Sequence, residues 1–236
     1  MKILIVDSRI TDKCENALIK EGYTLLKLPA DKSLGEAVSS HPDTVLFYLN
    51  GNIITTADYC DCAAYIFSDL REFCPDVKIH FTSDERSEKY PHDCIMNALV
   101  VGNHIFCKSD TISRDIIDLA NNSGYEICHT NQGYPACSVL AFGNNAITSD
   151  RGIAEAMKKL NINVTLIKEG FISLPPHKYG FIGGASGVVG KKVYFFGDIM
   201  THPDGHLIIQ TVTEAGYTPI SLSDEPLADF GGIISL

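Results

Sequence analysis

Five short stretches hold most of the side chains able to do chemistry: 41-HPD-43, 91-PHDC-94, 134-YPAC-137, 175-PPHKYG-180 and 227-LADFGG-232. Each comes just before an apolar run, and four of the five contain Asp or His. Cys94 and Cys137 are the candidate nucleophiles, since a thiol attacks an electron-poor carbon once it is deprotonated. His92 or His177 would serve as the base. Asp43, Asp93 and Asp229 are candidates for an acidic cup around a cationic ligand. Each residue also has a plainer reading. Free buried cysteine packs as a small hydrophobe, Asp is a common turn former, and His177 reads equally as a hydrogen-bonded core histidine.

The glycine-rich stretch 180-GFIGGASGVVGKK-192 invites a phosphate-loop reading and fails it. A Walker loop needs G-x-x-x-x-G-K-[ST] before a helix. Ending the motif at Gly190-Lys191 puts Ala185 at the first glycine and Lys192 at the hydroxyl position. The following 193-VYFFGD-198 is β-branched and aromatic, so it reads as a strand. The segment is therefore a long glycine-rich hairpin, with Gly183 and Gly184 marking where a ligand can approach backbone closely. The 202-HPD-204 pair sits at a helix start, so Asp204 reads as a cap and His202 as its surface neighbour.

Composition narrows the partners. The 236 residues are 45% hydrophobic and carry a formal charge of -10, with a pI near 5.2. That charge disfavours nucleic acid and anionic membrane surfaces. No apolar run is long enough to span a bilayer, and MKILIVDSRI does not read as a secretory signal. The expectation is a cytoplasmic protein whose eight cysteines are free thiols. Cys60, Cys62 and Cys74 lack paired CxxC spacing, and neither a metal nor a cofactor is implied.

The elements that must position these residues repeat. Amphipathic helices are expected over 12–22, 58–74, 113–124, 151–161 and 203–216, with Asp12, Ser113 and Asp204 as caps. Gly22, Gly124 and Gly216 end three of them, each followed by Tyr. After each helix comes an apolar strand: 23-YTLLKL, 77-VKIHF, 125-YEICHT, 164-VTLIK and 217-YTPISL. Strand–turn–strand pieces then recur as VLFYLNGNIITT, ALVVGNHIFCKSD, SVLAFGNNAITSD and the glycine-rich segment. The fifth unit ends at 230-FGGIISL-236 without a partner strand, so MKILIVDS is expected to complete it and close a ring. A flavodoxin- or response-regulator-like start is disfavoured because Asp7 stands alone before Ser8 and Arg9.

This pattern resembles the pentein superfamily of guanidino-group-modifying enzymes, which includes arginine deiminases, dimethylarginine dimethylaminohydrolases and amidinotransferases. Initiation factor 6 shares that fold without being an enzyme. The resemblance implies an α/β class, a five-fold pseudosymmetric α/β propeller over residues 1–236 as one domain, and a central cavity faced by the five stretches above. It also implies a small-molecule ligand of guanidino or amino-acid type, with C–N hydrolysis or amidino transfer through a cysteine thiol. The segment 217-YTPISLSDEPLADFGGIISL-236 is similar to the last unit of the dimethylarginine hydrolases. Two departures stand out. Ser235 lies near the position where the resemblance implies a terminal cysteine, and 131-NQGYPAC-137 lacks the implied histidine. A non-catalytic binding or interaction protein of the same fold is the alternative.

Overall fold

The computed structural model describes residues 2–236. The chain opens with β1 (Lys2–Asp7), α1 (Asp12–Lys20) and β2 (Tyr23–Leu28). A first unit follows: α2 (Pro42–Val45), β3 (Leu46–Leu49), β4 (Asn52–Thr56), α3 (Ala57–Cys62), α4 (Ala64–Phe73) and β5 (Lys78–Thr82). The second has β6 (Leu99–Val101), β7 (His104–Cys107), α5 (Arg114–Asn122) and β8 (Glu126–His129). The third has α6 (Pro135–Ser138), β9 (Val139–Phe142), β10 (Asn145–Thr148), α7 (Arg151–Lys159) and β11 (Asn163–Leu166). The fourth has β12 (Ser186–Val189), β13 (Lys192–Phe195), a 3-10 turn at Ile199–Thr201, α8 (Gly205–Glu214) and β14 (Thr218–Ser221), and β15 (Ile234–Ser235) ends the chain.

These strands make five three-stranded sheets of one topology. In each, an opening strand pairs antiparallel with the next, which pairs parallel with the strand after the helix. The fifth sheet takes β15 from one end of the chain and β1 and β2 from the other, with Leu4 opposite Ser235 and Ile5 opposite Ile234. The expectation that the N-terminal strand completes the last unit is met.

Two-faced burial explains why these strands read as unbroken apolar runs. Alternate residues of a strand point to opposite faces, and β1 divides accordingly. Ile3 and Ile5 pack with Val45, Leu46 and Phe67 of the first unit, while Leu4 and Val6 pack with Tyr194 and Phe196 of the fourth. The other apolar clusters join first to second, second to third and third to fourth unit. Each apolar cluster thus joins one unit to a neighbour. The five opening strands together line a cavity of about 310 Å³, reached by Tyr48, Val100, Ala141, Val188 and Ile234.

Several local expectations need correction. Thr11, not Asp12, caps α1, accepting from the Cys14 N–H; Asp12 lies inside the first turn, where its charge suits the helix dipole. Ser113 caps α5 as expected. Asp204 stands at the cap position of α8 but makes no capping bond; its carboxylate accepts from the Lys168 N–H at 2.7 Å. His202 is not a surface neighbour but buried, 2% exposed. The helix expected over 58–74 breaks at Ala63 into two. The hairpin between β12 and β13 turns at Gly190 and Lys191, with Val189 paired to Lys192, so it is short. Gly183 and Gly184 instead lead into β12. A side-chain carbon on Gly183 would overlap the Ala136 carbonyl, and one on Gly184 the Asp229 carboxylate. Close packing of chain on chain accounts for both glycines.

Gly231 combines both constraints, with φ +69° and no room for a side-chain carbon beside His41. Gly231→Ala is expected to cost about 2–5 kcal/mol in urea denaturation, from left-handed backbone strain and overpacking together. Gly190, at φ +61° with open space around it, is expected to lose only about 1–2 kcal/mol on the same change. Equal losses at the two positions would contradict the packing account.

Candidate active site

Two short helical turns set the site. α2 begins His41-Pro42-Asp43, and Pro42 supplies the fixed φ suited to a first helical position. α6 begins Pro135-Ala136-Cys137 and holds its first turn in the same way. Arg86 holds α2 from beneath, donating to the Thr44 and Val45 carbonyls at 3.1 Å, and its guanidinium is buried against Asp31. Asn97, fully buried, ties the two turns together. Its Nδ2 donates to the Asp43 carbonyl at 3.1 Å and to Cys137 Sγ at 3.2 Å, while its Oδ1 accepts from the Ala136 N–H at 2.8 Å.

The result is a thiol against a carboxyl. The Cys137 thiol donates to Asp43 Oδ2 at 2.8 Å. His41, 1% exposed, completes a triangle in which its ring nitrogen, the Cys137 sulfur and an Asp43 oxygen lie within 4.8 Å of one another. The imidazole sits between two more carboxylates, with Nε2 3.8 Å from Asp7 Oδ2 and Nδ1 3.7 Å from Asp229 Oδ1. Neither ring nitrogen has a hydrogen-bond partner. Asp229 accepts from the Phe181 N–H at 2.8 Å and the Gly231 N–H at 3.0 Å. Asp7 is matched by Arg9, whose Nη2 lies 2.6 Å from Oδ2. Arg9 also donates to the Ala37 carbonyl at 2.9 Å.

His41, Asp93, Tyr134, Cys137, His177 and Asp229 line one pocket of about 800 Å³. Asp93 accepts a short hydrogen bond from the Tyr134 hydroxyl, while its buried Oδ1 has no partner. Among the described residues no lysine or arginine pairs with Asp43, Asp93 or Asp229.

Such a concentration of acid moves protons. Removal from water and the neighbouring Asp229 charge push Asp43 up to about 8, against the hydrogen bond from Cys137. Burial, then the charges of Asp43 and Asp229, raise the Cys137 thiol well above its ordinary value. Burial also raises Asp229, with the facing His41 opposing it. Burial lowers His41 despite the two acids beside it. At neutral pH the site therefore holds a protonated thiol and a neutral imidazole. Asp43 too is still largely protonated there, so the site has the donors and acceptors for proton transfer.

The other sequence candidates lie elsewhere. Cys94 is buried and donates to the Pro91 carbonyl at 3.1 Å, and burial pushes it up to about 12. His92 is exposed in a separate concavity with Asp84 and Arg114. His177 is exposed, along the lining of the Cys137 pocket. Ser235 lines the other cavity, among the opening strands. His41, Asn97 and Tyr134 were not among the sequence candidates. His41 stands in the quoted HPD stretch, but nothing local separates it from the remaining histidines. Its position depends on Asp7 and Asp229 from the two ends of the chain.

A family model described as a family of unknown function (DUF6873) matches residues 5–234. The chain belongs to that family. A search of curated proteins finds no match. Solved structures give a fold. A dimethylarginine dimethylaminohydrolase adduct with S-methyl-L-thiocitrulline superposes with a TM-score of 0.59 at 13% identity, covering 94% of this chain and 92% of that one. An amidinotransferase of saxitoxin biosynthesis from Microseira wollei gives 0.57 at 15% identity, covering 94% and 78%. C. jejuni agmatine deiminase gives 0.57 at 8% identity, covering 94% and 87%. The DUF6873 chain therefore shares the mixed α/β fold of these solved structures, built from five small sheets. Among the described residues no helix is long and apolar enough to cross a membrane.

The Asp43 proton gives a test in stability. Its carboxyl shifts from 3.8 to about 8 on folding, so between those values the folded chain keeps a proton the unfolded chain has lost. Stability from this group is complete below the lower value and declines as pH rises through the upper one. Asp43→Asn is expected to remove that decline, so the stability difference between variant and parent should move in the variant's favour from about pH 5 to about pH 8. Urea denaturation at both pH values measures it, and a pH-independent difference would overturn the assignment.

Proposed function

We propose that the chain is a five-fold α/β propeller whose pocket receives a cationic small molecule of the guanidino or amidino class, with Cys137 as its nucleophile. One observation carries this reading. Asp93 and Asp229 line the pocket beside Cys137, Asp43 accepts from its thiol, and among the described residues none of the three acids is paired with a lysine or arginine, Lys178 on the same lining included. A guanidinium is planar and offers paired N–H donors, which suit carboxylate oxygens. The unpartnered Oδ1 of Asp93 and the facing Asp229 are the acceptors for it. Two of the structural neighbours, an amidinotransferase and an agmatine deiminase, act on the same ligand class.

A bound cation supplies the charge that the site lacks. Its field lowers both groups, so Asp43 gives up its own proton to solvent and, accepting from the S–H, then takes the proton of Cys137. The thiolate adds to the guanidinium carbon, forming a C–S bond. The C–N bond then breaks, and the departing amine carries off the proton held by Asp43. Water adds to the amidino-thioether carbon, losing a proton to His41 or Asp43, and collapse of this intermediate returns the proton to Cys137 and releases a urea-type product. With an amine in place of water, the amidino group is transferred instead. Asp7 and Asp229 flank His41 and stabilise its protonated form during turnover.

A second reading is favoured by Ser235, which stands in the last strand where the related enzymes are implied to carry cysteine, and by the protonated resting thiol of Cys137. It is a binding protein of this fold without chemistry. One experiment separates the two. The protein is incubated with arginine or agmatine, quenched in acid and weighed intact. The expected result is an amidino adduct mapped to Cys137, with a urea-type product accumulating and turnover falling at least about a hundredfold in Cys137→Ser. Binding without adduct or product, unchanged in Cys137→Ser, would establish the second reading. No binding would overturn both.

A further inference from the structure

We infer that His41, Asp43 and Cys137 form a site for a single thiophilic divalent cation of the zinc class, open to the pocket at its remaining position. Nothing in the residue spacing advertises it, since the ligands come from two separate turns and lack any CxxC or HxxxH pattern. The geometry carries it. One donor atom from each residue lies within 4.8 Å of the other two. The edges of a tetrahedral site with metal–ligand bonds of about 2.0–2.3 Å are about 3.3–3.8 Å, so side-chain movements of about 1 Å close it. The donor set is one imidazole nitrogen, one thiol sulfur and one carboxylate oxygen. Calcium and magnesium choose all-oxygen cages, whereas sulfur with imidazole selects zinc, cobalt and their neighbours.

A second observation is independent of the cluster. His41 is 1% exposed, yet neither of its ring nitrogens has a hydrogen-bond partner. A buried imidazole with two idle nitrogens is costly unless something occupies it. Whichever nitrogen takes the ion, the other remains beside Asp7 or Asp229. Metal-bound histidines commonly have such a carboxylate behind them, fixing the ring and raising its basicity. Asn97 Nδ2 supports the sulfur from the other side at 3.2 Å. His41 and Cys137 both line the pocket of about 800 Å³, which leaves the fourth position for water or a ligand. This inference does not rest on the guanidino reading, because it is tested with the ion alone.

The ion must displace the Cys137 proton and any proton on Asp43, so binding releases protons and tightens as pH rises. The charged groups around the triangle are Asp7, its partner Arg9, and Asp229. The test uses the full chain, stripped with chelator and titrated with Zn²⁺ or Co²⁺. One ion per chain is expected, and Co²⁺ should give a thiolate-to-metal charge-transfer band in the near ultraviolet. Cys137→Ser should abolish the band, and Asp43→Asn should weaken binding about tenfold to a hundredfold. Cys62→Ser, at an exposed thiol, should change neither. If Cys137→Ser does not fold, Zn²⁺ protection of Cys137 in the parent chain, read by peptide mass after alkylation, replaces it. Absence of the band, a band lost with Cys62 but kept without Cys137, or an unprotected Cys137 would each overturn the site.

Discussion

Strand β1 is the constraint on which the rest hangs. It is paired on one edge with β2, which follows it closely, and on the other with β15, from the far end of the chain. Its two faces enter two different apolar clusters, and Leu4, Ile5 and Val6 have no solvent exposure. A strand so placed cannot slip by one residue without exchanging its two faces, so the register of the fifth sheet is fixed by packing as well as by hydrogen bonds. That register brings Asp7, at the end of β1, and Asp229, shortly before β15, to the same imidazole. The functional candidates are thus assembled by joining the chain's ends.

The acids differ in how well the fold satisfies them, and that difference orders their chemistry. Asp7 has a full guanidinium partner in Arg9. Asp229 has two backbone N–H donors and also knits the last loop to the fourth unit. Asp43 has only the Cys137 thiol and its neighbour's hydroxyl, at 3.1 Å from Thr44. It is the least compensated of the three, and burial beside Asp229 pushes its carboxyl up to about 8. The same helical turn that exposes Asp43 to Cys137 is held by Arg86, so a buried ion pair far from the pocket indirectly sets the separation of thiol and acid.

Repetition was the legible part of the sequence. Helix-ending glycines at 22, 124 and 216, which take φ of +88°, +76° and +79°, mark the same point in three units. Alternation was hidden, because strands covered on both faces, such as KILIVD, lose their polar side. The site was partly legible. Cys137, Asp43, Asp93 and Asp229 stood out because each precedes an opening strand. His41 and Asn97 did not, since their roles come from contacts between units rather than from neighbours in sequence. Asn97 in particular sits in a run, 94-CIMNALV-100, that reads only as the approach to a strand. The glycine pair at 183 and 184 stands where one segment crowds another, and Gly183 also borders the cavity among the opening strands.

Asp43 borders the cavity of about 310 Å³ among the opening strands, whereas Cys137, to which it is bonded, borders the pocket of about 800 Å³. The partition between the two hollows is therefore a single hydrogen bond thick at this point, with Asp43 on one side and Cys137 on the other.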